Sequence, residues 1–134
     1  MPPYEELDHT ADWSFRVSAS SRGELFLEAA EALYGLGGVK TDTEPGEEKT
    51  IELQGDDPES LFVLWLNELL YLVEHDRLAM CDLKIEELTD TRLRASGRPA
   101  EILSAGKYIK AATYSGLHIT HSAGVWQATV VLDV

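Results

Sequence analysis

The sequence predicts an α+β fold, a two-layer sandwich in which two main helices pack on a mostly antiparallel sheet. Three observations support this prediction. The chain has 134 residues, the usual size of one domain, so we expect residues 1–134 to form a single core. Hydrophobic residues make up 44% of the chain, which is sufficient for that core. Two amphipathic helical segments each follow a strand-like segment, and short turns join the other strand-like segments.

The first long strand leads directly into the first helix. Apolar and polar residues alternate over Trp13–Ser20, which predicts a half-buried strand with Asp12, Ser14 and Arg16 on the face opposite the core. Ser21 and Glu24 have the spacing of a capping box, and apolar residues then recur at helical intervals. The glycines that follow Tyr34 end this helix.

A second helix is predicted after an acidic, turn-rich loop that contains a short strand near Ile51–Leu53. Asp57 is its N-cap and Pro58 its first residue, and a wide apolar stripe runs from Leu61 to Val73. Its opposite side is predicted to be a solvated face, formed by Asn67, Glu68, Tyr71 and Glu74.

The second half of the chain is predicted to be mainly strands. The predicted strands are a hairpin of Met80–Leu88 and Thr91–Gly97, followed by Tyr108–Tyr114, Leu117–His121 and Val125–Val134. Signals are mixed over Arg98–Gly106, and we interpret that segment as an irregular connection.

The charge balance excludes some classes of function. The chain carries 11 basic and 24 acidic residues, a net charge of −13, which disfavours direct binding of DNA or RNA over a broad surface. Cys81 is the only cysteine and cannot form an internal disulfide. With no apolar segment long enough for a signal or a membrane span, we expect a cytoplasmic protein that contacts no membrane.

The first long strand and the last strand could create a cation site. If the two strands are antiparallel, the start of one meets the end of the other, so Asp12, Asp133 and the terminal carboxylate of Val134 converge. Three anionic groups at one point repel unless a cation joins them, and all-oxygen ligands favour Ca²⁺, Mg²⁺ or Mn²⁺. The alternative from spacing alone is that Asp12 caps a turn and Asp133 is a frayed terminal residue.

Other candidate residues have simpler explanations. His118 and His121 lie three apart, which on a strand points the rings to opposite faces and disfavours a zinc site. His9 beside Asp12 could act in acid/base chemistry or satisfy local hydrogen bonds. No nucleophile elbow, Walker loop or dinucleotide fingerprint occurs, so nothing supports an autonomous hydrolase, and we expect no catalytic residues.

Four motifs in order along the chain resemble the archease family. They are His9-Thr10-Ala11-Asp12, Leu64–Tyr71 (LWLNELLY), Lys110–Tyr114 (KAATY) with Gly116-Leu117, and the ending Val130–Val134 (VVLDV). The resemblance implies a non-catalytic activator of an RtcB-type RNA-splicing ligase. Such an activator promotes guanylylation of the ligase's active-site histidine, restores turnover in GTP-dependent joining of tRNA exons and lets the ligase use other nucleotides. RNA would be contacted only indirectly, through the ligase.

The resemblance also implies a divalent cation, assigned as calcium in the family. Its ligands would be Asp12, Asp133 and Val134, and Asp8 and His9 would support the site or contact the ligase. Two departures occur, Ser115 where the family commonly has His, and Trp13-Ser14 where it usually has a small aliphatic residue and Gly. Two alternatives stay open, a chaperone-like interaction module that needs no cation and, less favoured, a metal-dependent phosphohydrolase.

Overall fold

The computed structural model describes residues 4–7 and 13–134, and the strands within these ranges form two antiparallel sheets around two helices. The strands are β1 (Tyr4–Leu7), β2 (Trp13–Ala19), β3 (Lys40–Thr41), β4 (Lys49–Gln54), β5 (Leu78–Leu88), β6 (Arg92–Ser104), β7 (Ala111–Thr113), β8 (Ile119–Ser122) and β9 (Val125–Asp133). The helices are α1 (Arg22–Leu36) and α2 (Pro58–Tyr71), and a π-helical turn (Leu72–Asp76) follows α2. The predicted fold class is therefore confirmed.

All strand pairings between described residues are antiparallel. The first sheet has the order β1-β2-β9-β7, with β8 also paired to β9, and the second has β3 and β4 on one side of β6 and β5 on the other. Both predicted helix starts are confirmed, because Ser21 accepts a hydrogen bond from the Glu24 N–H at 3.2 Å and Asp57 accepts one from the Ser60 N–H at 2.7 Å.

One hydrophobic core joins the helices to both sheets. Trp65 of α2 is fully buried, and its indole Nε1–H donates to the Phe26 carbonyl of α1 at 2.9 Å. The rings of Phe26 and Phe62 meet edge to face, with centroids 4.9 Å apart. Burial of Phe15 and Val17 on β2 confirms the predicted inward face of that strand. No helix in the described ranges is long and apolar enough to span a membrane.

The prediction of an irregular segment over Arg98–Gly106 is wrong, because β6 continues to Ser104. Pro99 made the sequence signal ambiguous, since proline has no N–H for a ladder. The carbonyl of Pro99 accepts from the Gly46 N–H at 2.7 Å, so this residue's backbone polar groups face the loop between β3 and β4 and not β5. The missing donor therefore removes no bond between β5 and β6.

Candidate functional site

The antiparallel pairing expected of the first long strand and the last strand is confirmed. Trp13 at the start of β2 pairs with Leu132 near the end of β9, so the two strand ends on which the predicted cation site depends lie side by side. Asp133 is the last residue of β9 and Val134 follows it. Asp8, His9 and Asp12 lie outside the described residues, and their predicted roles remain predictions.

Asp133 is held in place by its backbone. It lies opposite Ala111 in the pairing of β7 with β9, and its carbonyl accepts a hydrogen bond from the Lys110 N–H at 2.8 Å. The Asp133 side chain is half-buried, whereas Val134 is exposed. This anchoring contradicts the alternative that Asp133 is a frayed terminal residue, because the strand and a neighbouring loop both fix its main chain.

The neighbouring strand β7 is held by a side chain of α2. Asn67 accepts a hydrogen bond from the Ala112 N–H at 2.8 Å and donates one to the Ala112 carbonyl at 3.1 Å. The amide therefore pairs with the outer edge of β7 much as another strand would. The prediction that Asn67 belongs to a solvated face is wrong, because its partner lies 45 positions away and leaves no signal in the local sequence.

Two side chains after β6 extend the surface beside the chain end. The Tyr108 hydroxyl donates to the Glu74 carboxylate at 2.8 Å, and the Lys107 ammonium lies 4.9 Å from the centre of the Trp13 ring. The hydrogen bond to Glu74 raises the pKa of Tyr108, and the negative charge of Asp133 adds to this shift. Glu74 is thus a second residue of the predicted solvated face that has a tertiary partner.

The described residues at the chain end fit a hard cation in the chemistry of their donors. Asp133 offers carboxylate oxygen atoms, and the group expected on Val134 is also a carboxylate; oxygen is the ligand that Ca²⁺ and Mg²⁺ prefer. The described ranges contain no group of three or more acidic, histidine or cysteine side chains placed to hold a metal.

Ser14 is a serine at a position where the resemblance given above implies glycine. It is completely buried, opposite Val131 of β9, and its hydroxyl oxygen has no hydrogen-bond partner among the described residues. A buried hydroxyl without a partner is unfavourable, and glycine would avoid this cost. Alternation along β2 predicts that Ser14 lies on the face opposite Phe15. The complete burial of Ser14 shows that this face is covered, and not open to solvent, at that position.

Other candidate groups are engaged elsewhere. The His121 ring stacks on Trp126, with centroids 4.2 Å apart. The Arg94 guanidinium on β6 has nitrogen atoms 3.7 Å from carboxylate oxygens of both Glu86 and Glu87 on β5. Arg98 donates to main-chain carbonyls of the loop before β4. These contacts favour a structural role for the two arginines.

Comparisons with known proteins identify the fold and the family. The sequence pattern of the Archease protein family (MTH1598/TM1083) matches residues 4–134. Protein archease of Methanosarcina barkeri is 36% identical over 140 residues, which cover 98% of this chain and 95% of that protein. Protein archease of Methanopyrus kandleri is 34% identical over 139 residues, which cover 98% of this chain and 99% of that protein. The crystal structure of an archease and possible chaperone from Thermotoga maritima superposes with a TM-score of 0.72 at 25% identity, covering 97% of this chain and 96% of that one. The resemblance is thereby confirmed, and the chain belongs to the archease family.

Proposed function

We propose that this protein is a non-catalytic activator of an RtcB-type RNA ligase and promotes its guanylylation and turnover in tRNA exon joining. The observation that carries the proposal is the family match over residues 4–134, because that family is associated with RNA processing. The covalent step belongs to the ligase. Its histidine nitrogen forms a bond to the α-phosphorus of GTP, and the bond to the leaving pyrophosphate breaks.

The surface that serves the ligase is, in this proposal, the end of the molecule where β2 begins and β9 ends. Asp12, Asp133 and the carboxylate of Val134 hold a divalent cation there, expected to be calcium. When bound, the cation supplies positive charge for the triphosphate oxygens in the ligase pocket. Two contacts support this placement, the pairing of Trp13 with Leu132 and the hydrogen bond from Lys110 to Asp133. They orient this end of β9 before the protein binds the ligase.

A reconstituted ligation assay tests the proposal. Purified RtcB-type ligase, GTP and RNA ends are mixed with this protein, and covalent ligase–GMP and multiple-turnover joining are measured. We expect both to rise with the wild-type protein, and Asp12→Ala and Asp133→Asn to abolish the increase. Asp56→Asn is the matched control, because Asp56 is exposed on the loop before α2 and its loss changes net charge as Asp133→Asn does. Full activation by Asp12→Ala would refute the assignment.

Cation binding is measured separately by thermal unfolding with added Ca²⁺ or with chelator. A ligand that binds only the folded state raises the unfolding temperature. We expect Ca²⁺ to stabilise the wild-type protein and the Asp56→Asn control, but not Asp12→Asn or Asp133→Asn. An equal rise of the unfolding temperature in all four proteins would contradict the proposed cation ligands. It would leave the proposed interaction with the ligase untouched.

A chaperone-like interaction module is the second candidate function, since the Thermotoga maritima protein is described as a possible chaperone. Such a module would bind the ligase without a cation. Copurification of the ligase that survives chelator, together with activation by Asp133→Asn, would favour this function. Release by chelator would favour the cation-dependent activator.

A further inference from the structure

A partly enclosed cavity lies between the carboxyl end of α1, the π-helical turn and the loop before β7. Its volume is about 340 Å³, and apolar side chains including Leu33, Leu70, Val73 and Ile109 form its walls. Three of these are at least nine-tenths buried, with Leu33 2%, Leu70 7% and Ile109 6% exposed. Protein cavities of roughly 300–1,000 Å³ commonly bind small organic molecules, so this cavity has the size for one such ligand.

The rim of the cavity carries two cationic side chains, one carboxylate and one phenol. Glu74, Arg77, Lys107 and Tyr108 lie there. Arg77 forms no ion pair with any residue in the described ranges, and the Lys107 ammonium is placed over the Trp13 ring. Among the described residues that line the cavity, Glu74 is the only one with a carboxylate, and it accepts the hydrogen bond from Tyr108 at 2.8 Å. Arg77 and Lys107 therefore place two cationic side chains against one lining carboxylate, Glu74, which already accepts the hydrogen bond from Tyr108.

The rim is also fixed by its backbone. Arg77 adopts a left-handed conformation with φ of 56°, which ends the π-helical turn, and its carbonyl accepts from the Ile102 N–H of β6 at 3.0 Å. On the opposite side, the Gly37 carbonyl at the end of α1 accepts from the N–H groups of Gly106 and Lys107 at 2.9 and 3.0 Å. Hydrogen bonds therefore fix the main chain of both cationic residues, so the backbone of the rim is ordered before a ligand binds.

We propose that this cavity binds an amphipathic organic anion. Its apolar or aromatic body fills the space between Leu33, Val73 and Ile109, and its carboxylate lies at the rim beside Arg77 and Lys107. An arginine binds a planar carboxylate through two parallel hydrogen bonds, which makes a carboxylate a well-matched anion. The inference rests on the cavity alone and does not depend on the ligase or on the cation at the chain end.

The test uses three naphthalene compounds of similar size and different charge. Binding of 2-naphthoate, 2-naphthamide and 2-naphthylmethylammonium to isotope-labelled protein is followed by NMR amide shifts. We expect naphthoate to shift the amides of Val73 and Ile109 and to bind at least about fivefold more tightly than the cationic compound, which is the effect of a close charge at a partly exposed site. Equal affinity for all three compounds, or shifts confined to other surfaces, would overturn the proposal.

Variants separate the charge from the cavity. Arg77→Gln should weaken naphthoate binding about fivefold and leave naphthamide binding unchanged. Arg92→Gln is the matched control, because Arg92 is exposed on β6 and forms no ion pair among the described residues. Val73→Phe should block all three compounds by filling the cavity. Ala105→Leu, a change at an exposed lining residue, repeats this test if Val73→Phe fails to fold. Naphthoate binding unaffected by Arg77→Gln, or retained by a folded cavity-filling variant, would contradict the inference.

Discussion

Replacing Asn67 with alanine should destabilise the protein by removing the amide that pairs with the edge of β7. The substitution breaks two hydrogen bonds to Ala112, at 2.8 and 3.1 Å, and leaves the N–H and carbonyl of a residue that is only 4% exposed without these partners. Each bond contributes about 1–1.5 kcal/mol. Alanine is a better helix former than asparagine by about 0.6 kcal/mol, which offsets part of the loss. We expect a net loss of about 1.5–2.5 kcal/mol in the free energy of unfolding.

The corresponding change in melting temperature follows from the size of the chain. The entropy of unfolding is about 2.1 cal/mol/K per residue, or about 0.28 kcal/mol/K for 134 residues. Asn67→Ala should therefore lower the melting temperature by about 5–9 °C. Gln54→Ala is the matched control, because Gln54 is an exposed amide side chain on β4, and its loss should change stability by less than about 0.5 kcal/mol.

Hydrogen exchange distinguishes loss of this contact from a general loss of stability. The Ala112 amide should exchange faster in Asn67→Ala at a temperature where the core amides of α2 are still protected. The Lys110 amide, which donates to Asp133, should follow it, because both depend on the position of β7. A melting temperature within 2 °C of wild type, with Ala112 still protected, would refute the role assigned to Asn67.

Three further predictions concern stability and are checked by thermal or urea unfolding. Ser14→Ala should stabilise the protein by about 1 kcal/mol, because it removes a buried hydroxyl without a described partner; a loss would mean that the hydroxyl is bonded. Burial and the nearby Glu31 raise the pKa of Glu28, so its contribution is stabilising at low pH and is lost as pH rises through that raised pKa. Relative to wild type at the same pH, Glu28→Gln should therefore be more stabilising at pH 7 than at pH 4. Gly97→Ala should cost about 1–3 kcal/mol, because the added methyl would lie 2.8 Å from a Leu83 methyl; an unchanged urea midpoint would contradict this.

The features predicted correctly from the sequence are those specified by local signals. Ser21 and Asp57 begin their helices because each accepts a bond from an N–H three residues ahead, and that spacing is visible in the sequence. Alternation placed Phe15 and Val17 in the core, since a strand has only two faces. The pairing of β2 with β9 required one further assumption, that the strands are antiparallel, and this proved correct.

The features that the sequence did not reveal depend on partners distant in the chain. Asn67 and Glu74 look like ordinary polar residues on a helix, and their roles become visible only when the segment of Tyr108 and Ala112 lies against α2. Pro99 looks like a strand breaker in the sequence, because proline has no N–H to donate to a paired strand. Whether a strand tolerates it depends on which neighbour its backbone faces, and the sequence does not show that neighbour. Local patterns contain no information on either point, so a single sequence could not decide them.

The chain end owes its geometry to the core through a short series of contacts. β7 has three residues, too few to keep its position without support on both sides. β9 supports one side, and Asn67 supports the other from a helix whose apolar face includes the fully buried Trp65. Asp133 is in turn positioned by β7 and Lys110. Core substitutions in α2 should therefore disturb the candidate cation site even though they lie outside it, whereas substitutions in the loop before β4 should not.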